Sequence, residues 1–167
     1  MIHKTEPWKV TCVTVEDLKV LTEAIAPVIE PGDVILLYGE LGAGKTTLTQ
    51  LLAKALGVGE EQYVSSPSFA LLHEYRGNKI PISHMDLYRL RDEDDVEAAG
   101  LFEAFPENGL CIVEWPDRLG SSVPPVRLDI EIRHDHISGR QLVLTPHGIS
   151  WATRMNHIAR SASCLSK

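Results

Sequence analysis

Residues 39–46 read Gly-Glu-Leu-Gly-Ala-Gly-Lys-Thr. An apolar, β-favouring run (Val34, Ile35, Leu36, Leu37, Tyr38) leads into them, and a helix-compatible stretch over 46–56 leads out and stops at Gly57. A strand, a glycine-rich loop and a helix in that order form the cradle that holds a nucleoside triphosphate. The glycines let the backbone curl until several N–H groups point at phosphate oxygens. The helix that starts near Lys45 adds the positive end of its dipole. Lys45 supplies a point charge for the β- and γ-phosphates, and the Thr46 hydroxyl is placed to hold Mg²⁺. The expected nucleotide contacts are Glu40, Gly42, Ala43, Gly44, Lys45, Thr46 and Thr47.

A chain of 167 residues is long enough for one domain with a proper core. Its net charge of −7 argues against a protein that grips nucleic acid by itself through a basic face. Cys12, Cys111 and Cys164 are widely spaced and odd in number. They outline neither a disulfide framework nor a metal site, which suits a reduced, cytoplasmic protein. No apolar run approaches membrane-spanning length, and the first eight residues lack the apolar core of a signal peptide.

Periodicity predicts the remaining elements. Thr14 reads as a helix N-cap with Asp17 three residues on, and Leu18, Leu21 and Ile25 follow at helical spacing. Strands are expected over 69–75 and 80–86, joined by a turn over 76–79. The acidic run from Asp92 to Asp95 should open a helix that carries Val96, Leu101 and Phe102. Leu110, Cys111, Ile112 and Val113 form an all-apolar run, as a parallel strand covered on both faces requires. Pro116, Pro124 and Pro125 mark a loop. Strands at 128–133 and 140–145 follow, joined by a turn over 135–139. Trp151, Met155, Ile158, Ala162 and Leu165 recur at helical spacing, either to pack on the chain's own core or to dock a partner. The expected organisation is a nucleotide-binding domain over 1–149 and a helical tail over 150–167. The fold class is α/β: a phosphate-loop NTPase-like, mainly parallel sheet flanked by helices, with added antiparallel strands.

A phosphate loop needs acids to complete the Mg²⁺ shell and orient water. Glu114 follows the buried apolar run and Asp86 ends another strand, and ligands of open α/β sheets gather at such carboxyl ends. Glu114 is assigned to Mg²⁺ and Asp86 to the attacking water. Ser66, Pro67, Ser68 and Phe69 make a hydroxyl-rich loop of the kind that senses a γ-phosphate in switch-type hydrolases. His84 is either a base or a structural histidine. Trp115 either stacks on a base or partner or covers the sheet end. Arg89 and Arg91 either touch phosphate or form a solvated pair beside the acidic run.

Four motifs occur together in order: L-G-A-G-K-T-T from Leu41, S-P-S-F from Ser66, H-M-D-L-Y-R from His84 and V-E-W-P-D-R from Val113. In this register the chain resembles the TsaE (YjeE) family over about residues 13–145. The resemblance implies an ATPase that supports threonylcarbamoyl transfer to the tRNA adenosine beside the anticodon. It implies ATP and Mg²⁺ at Lys45 and Thr46, with Asp86 and Glu114 as essential acids and Trp115 next to them. It also implies partner proteins of the TsaB and TsaD type, with tRNA reached only through their complex. Ser68 replaces the family's threonine and keeps the hydroxyl; Asp117 replaces a glutamate.

Rival readings are weaker. A small-molecule kinase needs an arginine-bearing lid, and only Arg118 and Arg127 lie between Glu114 and Leu128. A GTPase needs an N-K-x-D motif, and Asn78-Lys79-Ile80-Pro81 lacks the acid. A nucleotide-gated adaptor that barely hydrolyses would use the same residues as an ATPase.

Overall fold

The computed structural model describes residues 6–135, 137 and 139–165. Seven strands and four α-helices occur among them. The strands are β1 (Trp8–Cys12), β2 (Val34–Tyr38), β3 (Leu72–Arg76), β4 (Pro81–Asp86), β5 (Leu110–Glu114), β6 (Arg127–Asp135) and β7 (Gly139–His147). The helices are α1 (Val15–Ile25), α2 (Lys45–Ala55), α3 (Glu93–Ala98) and α4 (Ile149–Ser161). One sheet runs in the order β1-β7-β6-β2-β5-β4-β3. Its four central strands, β6, β2, β5 and β4, are parallel, and antiparallel strands extend it on both sides. Parallel strands all finish at the same edge, so whatever follows β2, β4 and β5 is delivered to one place.

The sheet divides the core in two. Ile35 and Leu37 of β2 face α1, α2 and α4, while Val34 and Leu36 face α3 and the 3₁₀ turns Phe102–Ala104 and Pro116–Ser122. Strand side chains alternate between faces, so a strand buried on both must be apolar throughout, as β2 is. Helix α1 starts at a capping box. Thr14 Oγ1 accepts from the Asp17 N–H at 3.2 Å, and Asp17 Oδ2 accepts from the Thr14 N–H at 3.2 Å.

Several sequence expectations need correction. Strand β1 was not anticipated; it lies at the sheet edge on β7. Strand β3 starts at Leu72, because 67–71 form a turn that closes with the Leu71 N–H on Pro67 O, and Phe69 is 80% exposed. Helix α3 spans six residues and is followed by Gly100 in a left-handed conformation, so Leu101 and Phe102 lie beyond it. Both still pack on the same core as Val96. Residues Pro116–Ser122 form 3₁₀ turns rather than an irregular loop. Of the turn expected over 135–139, His136 and Ser138 lie outside the described residues.

The C-terminal helix packs on the chain's own core. Trp151, Met155, Ile158 and Ala162 are buried with Leu21 and Ile25 of α1. Arg154 stacks over the Trp151 ring at 3.8 Å and donates to both carboxylate oxygens of Asp33, at 2.6 and 3.0 Å, and to Val28 O at 2.9 Å. The helix is thus tied to the turn that launches β2. Among the described residues no helix is long and apolar enough to cross a membrane.

If α4 belongs to the cooperative core, Trp151→Ala removes a fully buried ring and should cost about 3–5 kcal/mol in urea unfolding. A loss below about 1 kcal/mol would show that the helix is an appendage.

Candidate functional site

The phosphate-loop residues curl over the carboxyl edge of β2. Gly42 and Gly44 have φ of +79° and +112°, which glycine adopts without the Cβ clash that hinders other residues. Gly44 caps α2, so the helix begins at Lys45. The Lys45 ammonium donates to Gly39 O at 2.6 Å and to Glu40 O at 2.9 Å. It also lies 4.3 Å from the centre of the Trp115 ring. Burial lowers the Lys45 pKa from its ordinary value, opposed by the charges of Glu114 and Asp86. Two of its three donors thus fix the loop, and the remaining one is available to a ligand.

The two acids are adjacent. Asp86 and Glu114 end β4 and β5 and are register partners. Glu114 is 2% exposed and divides its oxygens: Oε2 accepts from His84 Nε2 at 2.7 Å, and Oε1 accepts from the Thr46 hydroxyl at 3.4 Å. Because a carboxylate can only accept, Nε2 carries the proton of this bond. His84 is fully buried, and its Nδ1 has no partner among the described residues. Asp86 is similarly occupied. Its Oδ2 accepts from the Ser66 hydroxyl, and its Oδ1 accepts from the Tyr88 N–H at 2.9 Å.

These groups surround a cleft of about 450 Å³. Gly42, Ala43, Gly44, Lys45, Thr46 and Thr47 line it together with Ser66, Ser68, Asp86, Glu114 and Trp115. Glu40 is the exception among the expected contacts. Its carbonyl serves Lys45, but the residue borders a neighbouring groove with Glu131 and Arg133. Arg91 is drawn away by Asp95, and Arg118 by Asp117.

Three further residues join the site. His84 is the partner that holds Glu114. Tyr88 lines the cleft and packs on Trp115 at 5.0 Å. Arg140 enters from β7, its Cζ standing 3.2 Å from where a Cβ on residue 44 would be. The D-L-Y-R run pointed to the neighbourhood of Tyr88. No local signal pointed to Arg140, since it opens a strand nearly a hundred residues beyond the loop. Arg89 also lines the cleft, with its guanidinium 3.8 Å from the centre of the Phe69 ring.

The loop at 66–69 is anchored at its base and bare at its tip. Tyr75 OH donates to Ser65 O at 3.3 Å, and Gln50 Nε2 donates to Val64 O at 2.8 Å. Leu71 and Trp115 are the non-glycine residues with positive φ among those described, at +68° and +57°. Such backbone persists only where its surroundings enforce it, and here both instances adjoin the acids.

Comparison with known proteins points in one direction. Residues 12–142 match the family model described as threonylcarbamoyl adenosine biosynthesis protein TsaE. The chain is 37% identical to the tRNA threonylcarbamoyladenosine biosynthesis protein TsaE of Bacillus subtilis, over 87% of this chain and 89% of the relative. It is 44% identical to the protein of that name from Aquifex aeolicus, over 62% of this chain and 72% of the relative. The crystal structure of Bacillus subtilis YdiB superposes with a TM-score of 0.76 at 32% identity, covering 96% of this chain and 97% of that one.

The His84–Glu114 bond makes a stability prediction. His84→Leu strands a buried carboxylate oxygen and should cost about 1–3 kcal/mol in chemical unfolding, with His84→Gln recovering part of the loss. Equal stability for the leucine variant would mean that the bond contributes nothing to holding Glu114.

Proposed function

The chain belongs to the TsaE family of threonylcarbamoyl adenosine biosynthesis proteins, and on that footing we propose that it binds ATP with Mg²⁺ and hydrolyses it slowly in support of the complex that modifies tRNA adenosine next to the anticodon. The observation that carries this reading is the meeting of Thr46 and Glu114 beside a left-handed glycine loop whose lysine is locked to its own carbonyls. A hydroxyl and a buried carboxylate side by side at the cleft fit the sparse protein shell that Mg²⁺ takes when phosphates and water complete it. Thr46 would hold the ion directly and Glu114 through water. The ion would neutralise charge on the β- and γ-phosphates.

The chain's own residues do the rest. The loop N–H groups and the free donor of Lys45 bind phosphate oxygens. His84 keeps Glu114 turned toward Thr46. Asp86 orients the attacking water and takes its proton. Ser66 donates to that same carboxylate, so any change in the demand on Asp86 reaches the 66–69 loop. That loop is the γ-phosphate-sensitive switch, and its exposed tip is read by partners of the TsaB and TsaD type. An acidic chain reaches tRNA through them rather than alone. Three unpaired thiols suit a cytoplasmic setting.

Titration calorimetry and turnover test this reading together. Lys45→Ala should weaken ATP binding by at least about tenfold. Asp86→Asn should bind ATP almost normally and lose about a hundredfold or more in kcat. Unchanged ATP affinity in Lys45→Ala would remove the nucleotide site. Partner affinity should differ between ATP-analogue and ADP forms, and Ser68→Ala should shrink the difference; equal affinity in both states would leave an ATPase without a switch.

A further inference from the structure

We propose that Arg140 is the inner-phosphate clamp of this cleft: its guanidinium pairs with the α- and β-phosphate oxygens of a bound nucleotide. The proposal rests on the nucleotide reading above and extends it to the end of the ligand that the acids do not reach. The topology supplies the direction. Glu114 and Asp86 sit on β5 and β4, to one side of β2, whereas β6 and β7 lie on the other. A triphosphate laid over the 39–46 loop turns its γ end toward the acids that serve Mg²⁺ and water. Its inner phosphates and nucleoside then face β6 and β7.

The length of the β6–β7 hairpin brings Arg140 over that end. The last pair between β2 and β6 is Tyr38 with Glu131, yet β6 continues to Asp135. Those four extra residues carry it about 13 Å beyond the edge where the phosphate loop begins. Strand β7 returns antiparallel with Arg140 opposite His134, still above the edge. There the guanidinium leans on Gly44, with Cζ and Nη1 each 3.2 Å from the Cβ that a larger residue would carry.

Its electrostatic situation differs from that of the other arginines on this hairpin. Arg127 pairs with Asp129 at 2.9 Å and Arg133 with Glu131 at 2.8 Å. Arg140 is half-buried in the cleft wall, with no hydrogen-bond or ion-pair partner for its side chain among the described residues. A guanidinium keeps its charge at any physiological pH and presents a planar fork that matches two phosphate oxygens. In a chain of net charge −7, leaving such a group unpaired beside a phosphate loop is what an incoming anion requires.

Inner phosphates are common to ATP and ADP, so the clamp should act on both alike. In the whole chain, Arg140→Ala should raise the Kd for ADP and for ATP by a similar factor, about tenfold to a hundredfold, and lower kcat by less than it weakens binding. Arg140→Lys, which keeps the charge and loses the fork, should fall between. Circular dichroism and the thermal midpoint establish that the variants are folded, and Arg140→Gln serves if the alanine variant is not. A fall in kcat with ADP affinity unchanged would make Arg140 a γ-directed residue and overturn the clamp. Unchanged affinity for both nucleotides in a folded variant would overturn it as well. A wild-type protein that binds neither nucleotide, with or without Mg²⁺, would defeat the underlying nucleotide reading rather than the assignment of Arg140 within it.

Discussion

Strand β2 is enclosed on four sides. Strands β5 and β6 take its backbone hydrogen bonds, and an apolar layer covers each face. Its residues can therefore be only apolar, and the chain can leave it only at the carboxyl edge. An abrupt reversal is needed there, because α2 must lie back across the face just vacated. The left-handed backbone of Gly42 and Gly44 permits that reversal. Everything chemical in the molecule is placed relative to this turn. Glu114 and Asp86 end strands on one side of it, and the long hairpin rises on the other.

The turn gathers charge that the interior would otherwise exclude. Lys45, His84, Asp86 and Glu114 are all buried. Lys45 is capped by backbone carbonyls, Glu114 by a histidine and a hydroxyl, and Asp86 by a serine and an N–H. Buried charges persist when they are paired or hydrogen-bonded. The same bonds that make the site tolerable also aim it: each carboxylate has one oxygen tied to a buried imidazole or a backbone N–H and one tied to a hydroxyl facing the cleft. The 66–69 loop is attached through such a bond, whereas Phe69 at its tip is 80% exposed and lies against the Arg89 guanidinium.

The centre of the fold was legible because it is dictated locally. The apolar run at 34–38, the glycine spacing and the helix after it leave one solution, and β5 reads as a buried parallel strand for the same reason. Asp86 and Glu114 could be placed at strand ends because Glu114 closes an apolar run and Asp86 closes the second strand of an expected hairpin. Four features escaped. Strand β1 alternates Trp8, Val10 and Cys12 with Lys9 and Thr11, but the run is only five residues long and its place at the edge is set by pairing with β7. The helix expected to carry Leu101 stops early, because Gly100 takes a backbone that ends helices while the burial continues in a tighter turn. Arg140 could not be found by spacing, since the overhang that delivers it follows from register between strands about ninety residues apart. His84 was visible as a residue, but its bond to Glu114 was not.

The order of strands in the sheet also constrains how the chain can be made. Strand β2 emerges early in synthesis, yet its neighbours are β5 and β6, and α4 completes the layer over α1. Pairings this distant in sequence close large loops before they gain anything, which slows folding. Until α4 has left the ribosome, the apolar faces of α1 and β2 have no complete cover. Over the roughly seventy residues made between β2 and β5, the nascent chain therefore carries an apolar central strand with no partner for either edge, the kind of exposed edge that invites aggregation.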